Sequence, residues 1–328
     1  MTQLLDMVAI GRAGVDLYSL DLGAPLESAK RFAKYVGGTA ANTVVGASRL
    51  GLRAALVTRV SDDELGRFVK GFLENEGVDV SHVAVDRNAR TGIVFAEVSP
   101  GRDGKFIFYR EKAADLLVTR RDAPKSLVGE ARALLVTGTG LTKEPSYHTL
   151  LGAAKDAGDA GREVVFNLDW RPSLWNVPLK TRVSRYRRMM KLSDVTIGNQ
   201  GEYIAATGAP DLESALGVVG KEGPETLVVT SGDKGSEVRK NGKVANVPGF
   251  KVPLVKGLGG GDGFIAGYLF GRLKGWGDEE AAVFGNAVGA IVVTGHACSE
   301  SMPRLGEVRT FLASQGYALE DQTGPFKR

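Results

Sequence analysis

The run with the clearest chemical potential is Lys256-Gly257-Leu258-Gly259-Gly260-Gly261-Asp262, followed at once by a helical pattern. Glycines let the backbone turn tightly and bring its N–H groups close to a ligand. A helix start adds unsatisfied donors and a positive dipole end, which together favour a phosphate or a developing anion. A carboxylate at that point can accept the proton of a hydroxyl that attacks phosphorus. Taken alone, the run reads more naturally as a tight turn with Asp262 as helix N-cap. It is not a Walker A loop: no GxxxxGK[ST] occurs, and Gly217-Val218-Val219-Gly220-Lys221 lacks both the spacing and the hydroxyl residue.

Three further segments carry polar groups beside glycines. In Gly37-Gly38-Thr39-Ala40-Ala41-Asn42, two glycines precede a helix, so a sugar hydroxyl can approach the backbone with Asn42 as neutral partner; an ordinary strand-to-helix turn fits as well. In Asp194–Glu202, a buried strand ends on Asn199 and Glu202, oxygen ligands suited to Mg²⁺ held largely through waters, or simply solvated loop residues. Thr230-Ser231-Gly232-Asp233-Lys234-Gly235 follows another buried strand and can admit a nucleotide's phosphates or ribose, though an isolated hairpin turn looks the same.

Positioning these segments requires a sheet with its strand ends on one side. Short apolar runs, Met7–Gly11, Ala55–Val60, Ala133–Thr139, Val164–Leu168, Val195–Gly198 and Thr226–Thr230, alternate with amphipathic stretches such as Ala41–Leu50, Glu64–Glu76 and Asp211–Lys221. Nearly continuous apolar strands between helical patterns predict an α/β fold with a mostly parallel sheet covered on both faces. Two regions break the alternation. Thr91–Ser99 and Lys105–Arg110 flank Pro100–Gly104 as a hairpin, and residues 12–36 show little helical period before Tyr35. Together they predict a small β lid, about 12–36 and 89–115, on a single domain spanning 1–328; a plain surface hairpin is the alternative reading. Asp262–Trp276, Glu279–Gly295 and Arg304–Ser314 read as closing helices.

Composition narrows the class. A chain of 328 residues with 43% hydrophobic and 24% charged residues can bury a large core as a soluble enzyme. No apolar stretch reaches the roughly 18 residues of a membrane helix, and the N-terminus lacks a signal pattern. With Cys298 as the single cysteine, no intramolecular disulfide can form, so a cytoplasmic, reducing location is expected. His82, His148 and His296 lie too far apart for a zinc pair. The net charge of +4 suits anionic small substrates. The basic cluster Arg185, Arg187, Arg188 and Lys191 reads as a solvated helix face, so no nucleic-acid partner is expected. The first strand ends Gly11-Arg12-Ala13-Gly14, which is not a dinucleotide fingerprint.

The four segments, in this order, resemble the PfkB (ribokinase-like) family of carbohydrate kinases. Gly37–Asn42 continuing to Leu50-Gly51 is similar to its upstream glycine signature, and Gly257–Asp262 to its TxGAGD signature. Asn199–Glu202 is similar to its NxxE motif and Val60–Gly66 to its VGxDxxG turn; the likeness runs from about residue 7 to about 315. The resemblance implies ATP and Mg²⁺ as cofactors, with a monovalent cation such as K⁺ as a further option. It implies that Asp262 deprotonates a sugar hydroxyl while the N–H groups of Gly259, Gly260 and Gly261 form an anion hole. It also implies that Asp16, Gly38 and Asn42 bind sugar hydroxyls, that Thr230, Gly232 and Gly235 line the nucleotide site with Asn286 near adenine, and that lids pair into a homodimer.

Within the family, residues 11–17, 32–38, 108–116, 134–139 and 166–175 look most like the branch that phosphorylates 5-dehydro-2-deoxygluconate in inositol catabolism. The 2-keto-3-deoxygluconate kinases are the nearest rival, and fructokinase- or ribokinase-like activity the broader alternative. Both nearer substrates are sugar acids, for which Arg110 and Arg171 offer guanidinium forks, structural ion pairs being the other use of these residues. Ala41, Lys112, Gly257 and Gly260 depart from the usual pattern. Gly260 keeps the anion-hole N–H, whereas Ala41 and Lys112 touch the expected substrate region.

Overall fold

The computed structural model describes residues 5–99, 104–319 and 326–327. Its strands are β1 (Met7–Ile10), β2 (Gly14–Ser19), β3 (Phe32–Gly37), β4 (Ala54–Ser61), β5 (Val83–Asp86), β6 (Ile93–Ala96) and β7 (Phe106–Tyr109) in the first third. They continue as β8 (Ala133–Thr137), β9 (Glu163–Asn167), β10 (Val195–Asn199), β11 (Thr226–Thr230), β12 (Ser236–Lys240) and β13 (Lys243–Val247). The helices are α1 (Thr39–Arg49), α2 (Glu64–Asn75), α3 (Lys125–Glu130), α4 (Ser146–Asp159), α5 (Leu179–Met190), α6 (Gln200–Thr207), α7 (Leu212–Glu222), α8 (Gly260–Leu273), α9 (Asp278–Val292) and α10 (Leu305–Ser314).

Nine strands form one sheet in the order β13-β12-β11-β10-β9-β8-β1-β4-β5, parallel except where β12 and β13 run antiparallel at one edge. Side chains alternate across it as strand geometry demands. Met7 and Ala9 enter one core, with α1, α8 and α9, while Val8 and Ile10 enter the other, with α4 and α5. This two-sided burial is why the strands read as unbroken apolar runs. In the basic segment Tyr186, Met189 and Met190 of α5 are buried and Arg188 and Lys191 are exposed. Arg185 departs from the expected solvated face: its Nη1 donates to the Leu141 and Thr142 carbonyls at 2.7 and 2.9 Å, which ties α5 to the segment after β8.

Four more strands form a separate sheet, β3-β2-β6-β7, and a short antiparallel pair, β14 (Ala318–Leu319) and β15 (Phe326–Lys327), forms a third. Residues 12–36 supply β2 and β3, which pair antiparallel, and β6 lies parallel to β2 and antiparallel to β7. Most of the expected hairpin turn, residues 100–103, lies outside the described residues. One face of this sheet turns Asp16, Tyr18 and Phe106 toward the molecule, with the Tyr18 hydroxyl 2.9 Å from Cys298 Sγ. The other carries Leu17, Phe95, Ile107 and Tyr109, paired across the strands and partly or fully exposed.

Candidate active site

The C-terminal ends of β1, β8, β9, β10 and β11 share one edge of the large sheet, and Arg171, Asn199, Glu202, Thr230, Gly232 and Gly235 lie at or just beyond those of β9, β10 and β11. Asp262 comes from the opposite direction, on the first turn of α8. Its placement differs from a simple cap. Gly259, in the left-handed region at φ 80°, is the N-cap, and Asp262 is the third helical residue. A Cβ at Gly259 would also come within 2.6 Å of Cys298 Sγ, so only glycine starts the helix here. The carboxylate of Asp262 is thereby free of capping and instead accepts a 2.7 Å hydrogen bond from Asn42 Nδ2 on α1. The helix start leaves the N–H groups of Gly260, Gly261 and Asp262 without intrahelical partners. No neighbouring atom would meet a Cβ on Gly261, so this turn faces open space.

The electrostatics suit a base. Part of the Asp262 surface meets solvent, but the surrounding protein desolvates the carboxyl and raises its pKa to about 6; Asp169 pushes the same way, against Asn42 and Arg171. A group poised there is ionised at neutral pH and still basic enough to take a proton.

The sugar-side candidates converge with further charges. Asp16 is buried on β2; Arg12 Nη2 approaches it at 3.3 Å and the Tyr18 hydroxyl at 3.4 Å. Burial raises its pKa, with Arg12 opposing. A Cβ at Gly37 would collide with this carboxyl, and one at Gly38, where φ is 113°, with the Arg12 carbonyl. The two glycines thus admit the Asp16 side chain and the first-strand backbone. Arg171 stands partly exposed between Asp169 (3.2 Å) and Glu202 (3.6 Å). Arg110, by contrast, is buried, with Nε donating to Asp115 at 2.9 Å and Nη1 to the Thr139 carbonyl at 3.0 Å. In this structure its fork is engaged in an ion pair, the other use that its residue type allowed.

Two groups escaped the sequence reading. Asp169, buried beyond β9 with φ 40°, accepts from Thr139 Oγ1 at 2.8 Å and bears electrostatically on Asp262, Arg171 and Arg12. Here the left-handed backbone falls outside any hairpin turn, unlike that of Asn241, and the sequence offers no sign of it. Arg12 is buried, and its Nη1 has no hydrogen-bond partner; the same holds for Asn42 Oδ1, Asp115 Oδ1 and Thr137 Oγ1. Arg12 follows β1 and precedes Asp16, a position that could have drawn notice. Four orphaned buried polar atoms at this strand edge imply a polar occupant that satisfies them.

The nucleotide-side candidates lie farther along the edge. Asn199 is exposed at the end of β10 and Glu202 is buried, but neither is a loose loop residue. They form a capping box at the start of α6, with Asn199 Oδ1 accepting from the Glu202 N–H at 3.0 Å and Glu202 Oε2 accepting from the Asn199 N–H at 2.8 Å. Glu202 is buried, its Oε1 accepts from the Trp170 N–H, and burial raises its pKa to about 7 despite Arg171. Among the described residues no group of three or more His, Cys, Asp or Glu could hold a metal ion. Thr230 ends β11, and Gly232 and Gly235 take positive φ in the turn after it. Asn286 on α9 donates to the carbonyls of Pro248 (3.2 Å) and Val247 (3.4 Å), so its amide nitrogen ties α9 to the segment after β13.

Comparison with known proteins identifies the family. The model described as "pfkB family carbohydrate kinase" matches residues 5–305. A 5-dehydro-2-deoxygluconokinase of Shouchella clausii is 35% identical over 315 residues, covering 94% of this chain and 96% of that protein. Among solved structures, an uncharacterized sugar kinase from Pyrococcus horikoshii in complex with ATP is 28% identical with a TM-score of 0.81, covering 92% of this chain and 96% of that one. A double-mutant fructokinase from Vibrio cholerae O395, described with fructose, ADP and potassium ion bound, is 26% identical with a TM-score of 0.83 and coverages of 95% and 100%. No helix among the described residues is long and apolar enough to cross a membrane.

Proposed function

Since the chain belongs to the pfkB family of carbohydrate kinases, we propose that it transfers the γ-phosphoryl group of ATP to the primary hydroxyl of a sugar acid, 5-dehydro-2-deoxy-D-gluconate, in the cytoplasm. The observation that carries the reading is the Asp262 carboxylate, held by Asn42 beside the unpaired N–H groups of α8. The name of the Shouchella clausii relative supports the choice of sugar, and two guanidinium groups at the site, Arg12 with an unpartnered Nη1 and Arg171 partly exposed, support an acid over a neutral sugar.

In the proposed reaction Asp262 takes the proton of the sugar hydroxyl. The hydroxyl oxygen then bonds to the γ-phosphorus as the bond to the bridging oxygen breaks, and ADP leaves with that electron pair. The N–H groups of Gly260, Gly261 and Asp262, with the Gly259 turn before them, face the transferring group and stabilise its charge. Asp16, Gly38 and Asn42 hold sugar hydroxyls, which gives Asn42 Oδ1 its missing donor. Arg12 and Arg171 hold the acid group, and Arg110 fixes the floor through Asp115. Thr230, Gly232, Gly235 and Asn286 line the nucleotide end. Mg²⁺, when bound with the ATP phosphates, neutralises their charge. Asn199 and Glu202, whose oxygens already close the α6 cap, would hold it through waters.

We further read the chain as one ribokinase-like domain in which residues 12–36 and 89–115 form a lid over the sugar. The exposed outer face with Ile107 and Tyr109 pairs with a second copy. An ADP-release assay across neutral sugars and sugar acids tests the class. Turnover confined to sugar acids is expected; turnover only with neutral sugars would overturn the acid assignment.

A further inference from the structure

Lys256 precedes the glycine turn and is fully buried, yet the proposed chemistry leaves it without a task. Its ammonium donates to two backbone carbonyls, Leu258 at 2.8 Å and Val292 at 3.1 Å. Burying an ammonium without a carboxylate partner is costly, and an apolar side chain would fill the same space more cheaply. The location gives the charge a use. The N–H groups of Val255 and Lys256 both donate to the Val293 carbonyl, so the segment before the glycines is pinned to the end of α9. Val292 is the last residue of α9, where the helix dipole favours a cation. Gly259 and the N–H groups of α8 follow directly.

Carbonyl dipoles converging on one positive charge also make the donor set that suits a potassium-class ion. The Vibrio cholerae fructokinase is described with such an ion bound. In this chain the carbonyl oxygens beside the anion hole are already taken by the ammonium, so a free ion does not fit between them. We infer that Lys256 is a positioning residue that acts as a tethered monovalent cation. It holds the Leu258 and Val292 carbonyls, fixes the glycine turn against α9, and supplies beside the anion hole the charge a free ion would otherwise bring. Burial draws its pKa down, while Cys298 and Asp262 act to keep it charged. The inference rests on the kinase reading of this loop.

The test compares the full chain with Lys256→Met in potassium chloride and in equal tetramethylammonium chloride, whose cation is too large to enter. Melting needs neither sugar nor ATP, so it is independent of the substrate assignment. The wild type is expected to melt within about 1 °C in the two salts, and the variant about 2–4 °C higher in potassium chloride. In turnover, with whichever sugar is accepted, the wild type should change less than twofold between salts. The variant should lose at least about tenfold in tetramethylammonium and regain several-fold with potassium or ammonium ions. Stimulation of the wild type by potassium overturns the inference, as does a folded variant that responds to no cation in either readout. Should the variant fail to fold in both salts, the wild-type comparison decides alone: indifference supports the tethered cation and stimulation overturns it. A chain that phosphorylates no sugar while its variant is stabilised by potassium would refute the kinase reading and leave the cation site standing.

Discussion

At the residue scale the account turns on Asp262, a carboxylate that looks in sequence like a helix cap. Capping is a local property and would aim a carboxylate oxygen at the N–H groups of its own helix turn, as Asp63 does at the start of α2. The structure moves the helix start back to Gly259 and lets Asp262 meet Asn42, 220 positions away. That contact is invisible to local spacing, which is why only the order of all four segments pointed to chemistry. Asp169 takes its Thr139 partner from the end of another strand, 30 positions away, whereas Arg12 pairs with Asp16 only four residues on, a local signal that the spacing did carry. A base with its pKa raised to about 6 gives kcat/KM an acidic limb near pH 6. Activity is full above that pH, where the carboxylate is ionised, and falls tenfold per unit below it; a pH–rate profile flat from pH 5 to 8 would contradict the assignment. Arg171→Ala should raise KM for the sugar acid about tenfold or more while leaving that for ATP within threefold, the loss of one charge-assisted fork.

At the element scale, the central strands were legible because two-sided burial forces an apolar run, and all six expected strands exist with their ends shifted by a residue or two. The edges were not. β5 is partly exposed, and the β12–β13 hairpin carries the charged residues Glu237, Arg239, Lys240 and Lys243. Its signal was Asn241-Gly242, both with positive φ, the pair that a tight hairpin turn favours. The glycine signature before α1 was legible as a turn, but its reason, room for the Arg12 carbonyl and the Asp16 carboxyl, needed the fold. Gly38→Ala should therefore destabilise the chain by about 2–4 kcal/mol, read by denaturant melting, since it meets both a positive φ and a backbone collision. Glu202→Ala removes the acceptor of the Asn199 and Trp170 N–H groups. A loss of about 1–3 kcal/mol is expected, and an unchanged melting temperature would show that the capping box carries no weight.

At the scale of the whole molecule, the large sheet gathers strand ends along one edge, and the small sheet lays Asp16 against Arg12 beside them. The outer face of that sheet leaves Ile107 and Tyr109 exposed beside Leu17 and Phe95. In sedimentation at micromolar concentration the chain should run as a dimer, and Ile107→Glu as a monomer; a wild-type monomer would remove the paired-lid reading. The most direct test of the central claim is the rate of ADP release with 5-dehydro-2-deoxy-D-gluconate and saturating Mg·ATP, for the wild type beside Asp262→Asn. The account predicts wild-type turnover of about 1–100 per second and a variant slower by about 100- to 10,000-fold with ATP affinity retained. A wild type that binds Mg·ATP but does not turn over the sugar, or a variant as fast as the wild type, would contradict it.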